Sequence, residues 1–184
     1  MSYSCSAKRY SFSYSNSATA GEGGAISLIA RSGHIVGIPF ESYDKVRSPV
    51  LGSFSISERG TAGNGGKVTL EAKNNVSNLE ILTLSSSSQS GAVQVTGLRD
   101  LLLADTNILT SKQVTIRNPS GRSEFLTLNV EGNGRSGNVD VSSLGNLTFN
   151  NSSIQSDTKG SDQAGNVTVN SPGLVTFNNS FIRS

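Results

Sequence analysis

The residues best suited to acid–base chemistry lie in one stretch, between positions 33 and 51. This stretch contains His34, Glu41, Tyr43 and Asp44, and imidazole and carboxyl groups are the usual proton donors and acceptors of enzymes. The alternative function of the chain is that of a carbohydrate-binding or polysaccharide-cleaving protein, in which this cluster would be the site. An isolated histidine in a loop is more commonly a polar surface residue, so no catalytic site is predicted in this stretch.

The other acidic residues do not form the pair that cleavage of a glycosidic bond requires, which is two carboxyl groups about 5–10 Å apart. Asp100 and Asp105 align with asparagines in a later repeat and are interpreted as turn caps. Asp157 and Asp162 flank Lys159 in a polar loop and are expected to be solvated. The sequence therefore predicts a protein that is not an enzyme and that has no catalytic residues.

Ligand sets for metals, phosphates and nucleic acids are not recognisable in the sequence. The chain has one histidine and one cysteine, Cys5, so no metal-ligand spacing and no internal disulfide is predicted. The glycine clusters at 21–24 and 63–66 lack the aspartate of calcium-binding repeats and the Lys-Ser/Thr of a phosphate loop. The formal net charge is only +2, without a basic stripe, which argues against nucleic acid as a partner. We expect no cofactor.

The elements that would position these residues are indicated by an internal repeat. Residues 165–184 repeat residues 137–156 without a gap, shifted by 28 (165 − 137), and 13 of the 20 positions are identical. Residues 91–110 align with the same unit. In each unit the apolar residues alternate with polar ones, which is the pattern of half-buried strands. The predicted inward-facing residues are Val93, Val95, Leu101, Leu103 and Ile108, then Val139, Val141, Leu147, Phe149 and Ile154, then Val167, Val169, Val175, Phe177 and Ile182.

Three short strands in each unit, too close together for helical crossovers, predict one coil of a parallel β-helix. The fold class is therefore all-β, a solenoid of about six or seven coils. Its units restart at 24, 66, 91, 112, 137 and 165. The unit from Lys112 is degenerate, with strands predicted over 113–116 and 125–130. An antiparallel sandwich or barrel also has short alternating strands and is the second choice.

The corners between strands are predicted from glycine and asparagine. The glycines before each first strand are expected to adopt positive φ. The pairs Asn150-Asn151 and Asn178-Asn179 follow each second strand and are expected to stack with amide hydrogen bonds between coils. On the outward side of the first strands, one row carries a single acid, and it reads Ser27, Thr69, Gln94, Thr115, Asp140 and Thr168. The second strands place Leu102, Thr148 and Thr176 outward.

The predicted domain organisation is a loose lead-in over 1–20, with an edge strand at 10–14, followed by a single solenoid over 21–184. The solenoid has an enlarged rung at 33–51, where His34 and Pro39 break the pattern. The N-terminal residues do not have the apolar core of a signal peptide, and no apolar run is long enough for a membrane span. The last unit stops after 20 residues, without a polar cap, so we expect an uncapped C-terminal end and a fragment of a longer chain. Such an open end predicts end-to-end self-association.

The pattern Gly-Asn-Val-x-Val, followed by Gly-x-Leu/Val-Thr-Phe-Asn-Asn-Ser-x-Ile-x-Ser, resembles the repeats of filamentous-haemagglutinin-like exoproteins of two-partner secretion systems. The resemblance covers about 21–184 and is strongest over 91–111 and 137–184. It implies a right-handed β-helical fibre, export through an outer-membrane transporter, a secreted or cell-surface location and an adhesive role. Its partners would then be host or neighbouring-cell glycans or surface proteins. The repeats supply no catalytic residues.

Overall fold

The computed structural model describes residues 3–5, 9–15, 18–42, 45–47, 49–57, 59–110, 134–158 and 162–184. The described residues form short strands joined by turns. The strands are β1 (Tyr3–Cys5), β2 (Arg9–Ser15), β3 (Ile26–Ala30), β4 (Ile35–Gly37), β5 (Phe40–Ser42), β6 (Lys45–Arg47), β7 (Val50–Ser57), β8 (Val68–Ala72), β9 (Asn75–Ser77), β10 (Glu80–Ser85), β11 (Val93–Gly97), β12 (Leu101–Ala104), β13 (Asn107–Thr110), β14 (Val139–Ser143), β15 (Leu147–Asn150), β16 (Ser153–Gln155), β17 (Val167–Asn170), β18 (Val175–Asn178) and β19 (Phe181–Arg183).

These strands make three parallel sheets, which we call faces 1, 2 and 3 in the order in which each complete coil visits them. Face 1 has the order β3-β8-β11-β14-β17, face 2 the order β1-β4-β9-β12-β15-β18, and face 3 the order β2-β7-β10-β13-β16-β19. Neighbouring strands on each face are hydrogen-bonded and parallel, and the antiparallel pair described is the β5–β6 hairpin. The predicted parallel β-helix is confirmed, and an antiparallel sandwich is excluded because its ladders would run the other way.

The number of coils is smaller than predicted. Five complete coils are described, each with one strand on every face, and β1 and β2 add two strands of a coil before them. The degenerate unit expected from Lys112 lies mostly outside the described residues. It cannot be a rung between its neighbours, because β11 pairs directly with β14, with Val93 opposite Val139. The residues between the starts of the 91 and 137 units therefore form one coil and include an additional segment that is not a rung between them.

The N-terminal residues differ from the loose lead-in that the sequence predicted. The strand expected at 10–14 is confirmed as part of β2, which pairs in parallel with β7, and β1 pairs in parallel with β4. The first complete coil is lengthened between β4 and β7 by the β5–β6 hairpin, within the stretch predicted as an enlarged rung.

The interior is built from the predicted inward rows, in the predicted register. On face 1, Val139 lies between Val93 and Val167, and on face 2, Phe149 lies between Leu103 and Phe177. Val139 and Phe149 are at most 1% exposed. Burying a side chain of this kind stabilises the fold by roughly 1.5–3 kcal/mol, so a one-residue slip, which would turn the whole row outward, is strongly disfavoured.

The positive φ predicted for the corner glycines is found instead at asparagine and aspartate residues of another corner. The glycines that precede the first strands do not have positive φ; instead, a Cβ at Gly137 would lie 2.1 Å from the carbonyl oxygen of Gly91. These glycines are therefore required by the close approach of successive coils. The left-handed conformation belongs to the residue that follows each face 2 strand from β9 onward, and that row reads Asn78, Asp105, Asn151 and Asn179, with φ of 54°, 48°, 49° and 48°. Asparagine and aspartate tolerate this conformation better than other non-glycine residues.

Two polar rows fasten the coils together. The Nδ2 of Asn179 donates to Oδ1 of Asn151 at 2.8 Å, which confirms the predicted amide stacking for this pair. Inside face 3, the hydroxyls of Thr83 and Thr110 donate to the carbonyls of Gly91 and Gly137 at 2.6 and 3.0 Å. These two buried hydroxyls of face 3 are thereby paired with the backbone of the glycine corner.

Candidate functional site

The acid–base cluster predicted between 33 and 51 is represented in the structure by His34 alone. His34 is half-buried and immediately precedes β4. Glu41 lies on β5, but its side chain is not described, and Tyr43 and Asp44 lie outside the described residues. Among the described side chains, those that line a groove with His34 belong to later coils, which stacking brings beside it.

His34 begins a row of outward-facing side chains along face 2. Ile35 pairs with Val76, so His34 lies beside Asn75 on the next coil. Asn75 pairs with Leu102 and Leu102 with Thr148. Leu102 and Thr148 were predicted to face outward, and they do. This row borders a groove of about 500 Å³ lined by His34, Asn74, Asn75, Asp100, Leu101, Leu102, Asn146 and Thr148. We call it the His34 groove.

Three polar atoms of the His34 groove are buried and have no hydrogen-bond partner. They are Nδ1 of His34, Oδ1 of Asn74 and Oδ1 of Asn75, and they are three of the five such atoms found among the described residues. Leaving a buried polar atom unpaired costs about 1–3 kcal/mol, and native structures rarely keep one without a reason. Their concentration on two neighbouring coils distinguishes this groove from the other described surfaces.

The far end of the groove is held by a ladder of backbone caps. Oδ1 of Asp100 accepts a hydrogen bond from the backbone amide of Asn146 at 2.7 Å. In turn, Oδ1 of Asn146 accepts one from the amide of Leu174 at 2.9 Å. Asp100 was predicted to cap its own turn, but the bond described runs to the backbone of the next coil. The cap fixes the carboxylate at the mouth of the groove, where Asp100 is exposed, and Leu102 beside it is 37% exposed.

The outward row of face 1 is assembled largely as predicted. Thr69 pairs with Ser27 and Gln94, and Asp140 pairs with Gln94 and Thr168. Thr115, expected between Gln94 and Asp140, does not belong to the row, because those two residues are direct neighbours. The row thus carries one carboxylate among hydroxyl and amide side chains.

The aspartates of the last loop differ from each other. Asp162 is exposed, as predicted, whereas Asp157 is half-buried and forms an ion pair with Arg183. The prediction that Asp157 is simply solvated is therefore wrong, because the register of β16 and β19 places the Arg183 side chain against this loop. Lys159, between the two aspartates, lies outside the described residues.

A second groove, of about 530 Å³, lies at the corner before face 1. Its lining includes Gln89, Arg135, Asn138, Gln163 and Asn166. Nη2 of Arg135 donates to Oε1 of Gln163 at 2.6 Å, and Oδ1 of Asn138 accepts from the amide of Asn166 at 3.0 Å. These polar groups are used to bond one coil to the next, unlike the unpaired atoms of the His34 groove.

Sequence reasoning found His34 but missed Asn74, Asn75 and Asp100 as its neighbours. The available signal was the alignment of each coil with the next, which needed the correct offset between the first and second complete coils.

Among the described residues, no group of three or more His, Cys, Asp or Glu side chains could hold a metal ion, and no helix there is long and apolar enough to cross a membrane. No family model, no curated protein and no solved structure matches the chain.

Proposed function

We propose that this chain is a structural and adhesive β-helical segment of a secreted or cell-surface exoprotein of the filamentous-haemagglutinin type, and that it is not an enzyme. The observation that carries the proposal is the register in which successive coils stack on all three faces. In such a solenoid each coil contacts only its neighbours, so the same unit can be added repeatedly to extend a rod. A repeated unit of this kind suits a fibre that carries binding surfaces away from the cell.

The side chains that the repeats conserve within this sequence are used for stacking. Asn151 and Asn179 bond across coils, and the rings of Phe149 and Phe177 are stacked, with centroids 4.6 Å apart and planes at 3°. The carboxylate of the His34 groove, that of Asp100, already caps a turn. These assignments support a scaffold with binding surfaces rather than a pair of carboxyl groups set for hydrolysis.

The location and adhesive role can be tested on native cells. Antibodies against the purified chain should label intact cells of the source organism, and protease added outside should remove the label. Beads coated with the chain should adhere to cells or to immobilised glycans, whereas beads coated with the heat-unfolded chain should not. Labelling that requires permeabilised cells would contradict the proposed location, and adhesion equal to that of the unfolded control would contradict the adhesive role.

Self-association through the last coil is part of this proposal. Phe177 and Ile182 are 45% and 37% exposed, and each strand of the last coil pairs with the chain on one side only. Unpaired strand edges with apolar side chains favour pairing with another chain. Sedimentation velocity should show concentration-dependent association that Phe177→Lys reduces. Leu144→Lys is the matched control, because Leu144 is 71% exposed but lies at a corner between faces. A monomer at all concentrations, or equal effects of the two variants, would contradict end-to-end association.

A further inference from the structure

We infer that the outer side of face 3 is a docking surface and that its occupant is the segment 111–133 of the same chain. The outer side is the one turned away from the interior of the solenoid. Its apolar residues form one cluster, which consists of Val50, Phe54, Ile56, Leu82, Leu84 and Leu109. This surface is separate from the edge of the last coil, and the inference does not depend on the proposed adhesive function.

The alternation of side chains assigns this cluster to the outer side. Leu51 and Ile81 belong to the core that the three faces enclose, and residues an even number of positions apart along a strand share one side of a sheet. Ile56 is five positions after Leu51 (56 − 51) and Leu84 is three after Ile81 (84 − 81). Both therefore point away from the core, and the cluster they belong to is distinct from it.

Although these side chains point outward, they are buried. Ile56 and Leu84 are 0% exposed, and Leu82 is 7% exposed. A fully buried residue touches about 6–12 others, whereas the described members of this cluster all lie on the adjacent strands β7, β10 and β13. Strands of one sheet lie beside such a side chain and not above it. Burial this complete therefore requires a further segment across the outer side.

The position of the most deeply buried residues indicates which segment this is. Ile56 and Leu84, which have no exposed surface, lie in the second halves of β7 and β10. Strand β13 ends at Thr110, which pairs with Thr83, the residue before Leu84, and residues 111–133 begin at this point. The β5–β6 hairpin instead precedes Val50, at the opposite end of these strands.

The length of the segment is sufficient to cross the surface. Strand β7 lies two strands from β13 on face 3, a distance of about 10 Å. The 23 residues (133 − 111 + 1) can extend by up to about 3.3 Å each. The segment also supplies apolar side chains, which are Val114, Ile116, Phe125, Leu126, Leu128 and Val130.

The outer side of face 3 becomes polar in the coils that follow the segment. Leu109 pairs with Gln155, and Gln155 pairs with Arg183, so the apolar row ends at β13. The corner that follows β16 is short, because residues 157–161 connect the positions equivalent to those joined by 111–133. Apolar outer residues therefore accompany the inserted segment. By covering them, the segment prevents this side from associating with other chains, as exposed apolar patches do.

Nuclear Overhauser spectroscopy of the methyl groups in the full chain tests the occupant. The methyls of Ile56, Leu82 and Leu84 should give cross-peaks to side chains within 111–133. A sample that mixes isotopically labelled and unlabelled chains separates contacts within one chain from contacts between copies. The inference is overturned if the cross-peaks join different copies, if they reach the β5–β6 hairpin and not 111–133, or if they are confined to face 3.

A shortened chain tests the protective effect. In this variant the sequence of 157–161, Asp-Thr-Lys-Gly-Ser, replaces 111–133. It should retain the β-type circular dichroism and bind several-fold more anilinonaphthalene sulfonate, a dye that reports exposed apolar surface. A synthetic 111–133 peptide should reverse the increase. The matched control is the shortened chain with Leu82→Ser and Leu84→Ser, which should bind less dye. A folded shortened chain with native dye binding would overturn the inference, and if that chain does not fold, the cross-peaks of the native chain decide.

Discussion

Replacing Gly137 by alanine should destabilise the solenoid, although two opposing effects act at this position. Gly137 lacks a positive φ, so alanine would ordinarily stabilise the chain by about 0.4–1 kcal/mol by restricting its unfolded state. In the folded state, however, the new Cβ would lie 2.1 Å from the carbonyl oxygen of Gly91, where contacts under 3.0 Å essentially never occur. The obstacle is backbone, so it cannot rotate away.

The size of the effect follows from the displacement. The two coils must separate locally by at least 0.9 Å (3.0 − 2.1). The hydrogen bond from the Val93 amide to the Asn138 carbonyl is 2.9 Å long and would lengthen beyond the limit of about 3.5 Å if the separation reached it. That loss costs about 1 kcal/mol, and overpacking costs about 1–3 kcal/mol. After subtracting the gain, we expect a net loss of about 2 kcal/mol, or roughly 4–8 °C in melting temperature.

Urea unfolding measures the total effect, and hydrogen exchange at the Val93 and Val139 amides localises it. Gly21→Ala is the matched control, because the nearest atom to its Cβ is the rotatable Oγ of Ser13 at 3.3 Å. That variant should change the free energy of unfolding by less than about 1 kcal/mol. Equal stability of Gly137→Ala and the native chain, or equal shifts in the two variants, would refute the steric explanation of the corner glycines.

Two further substitutions test the rows of the solenoid. Asp105→Asn should raise the free energy of unfolding by about 0.5–1 kcal/mol, measured by urea unfolding, because it keeps the left-handed φ of 48° and adds an amide donor to the asparagine row. Its control is Asp100→Asn, which should show no such gain because Asp100 already accepts a backbone amide. Phe149→Ala should lower the free energy of unfolding by about 3–5 kcal/mol, because Phe149 is 1% exposed. Phe177→Ala should lower it much less, because Phe177 is 45% exposed. Equal effects within either pair would contradict the corresponding stacking argument.

The inward rows were predictable because two signals agreed. Alternation at period two assigns Val139 and Val141 to the same face of a strand, and the gap-free repeat fixes which residue of the next coil, such as Val167, lies above each of them. A repeat without insertions thus supplies the register that single strands cannot. The same logic placed Asn151 and Asn179 on one corner, where they are hydrogen-bonded.

The prediction of a rung from Lys112 was wrong because local alternation does not identify a strand's neighbour. Residues 113–116 alternate like every first strand of a coil, yet β11 finds β14 as its partner. Parallel pairing between coils is non-local, and closing a longer loop costs little extra free energy. The chain can therefore skip more than twenty residues whenever a better-matched strand follows.

The sequence by itself determined the fold class and the inward rows, because these depend on periodicity and residue type. The tertiary structure alone decided which coils touch, and hence that His34 lies beside Asn75 of the next coil. It also decided that close backbone approach, not positive φ, demands glycine at the corners. Both depend on distances between atoms on different coils. These could not be predicted from the sequence, because the first complete coil is enlarged and extra residues separate the 91 and 137 units.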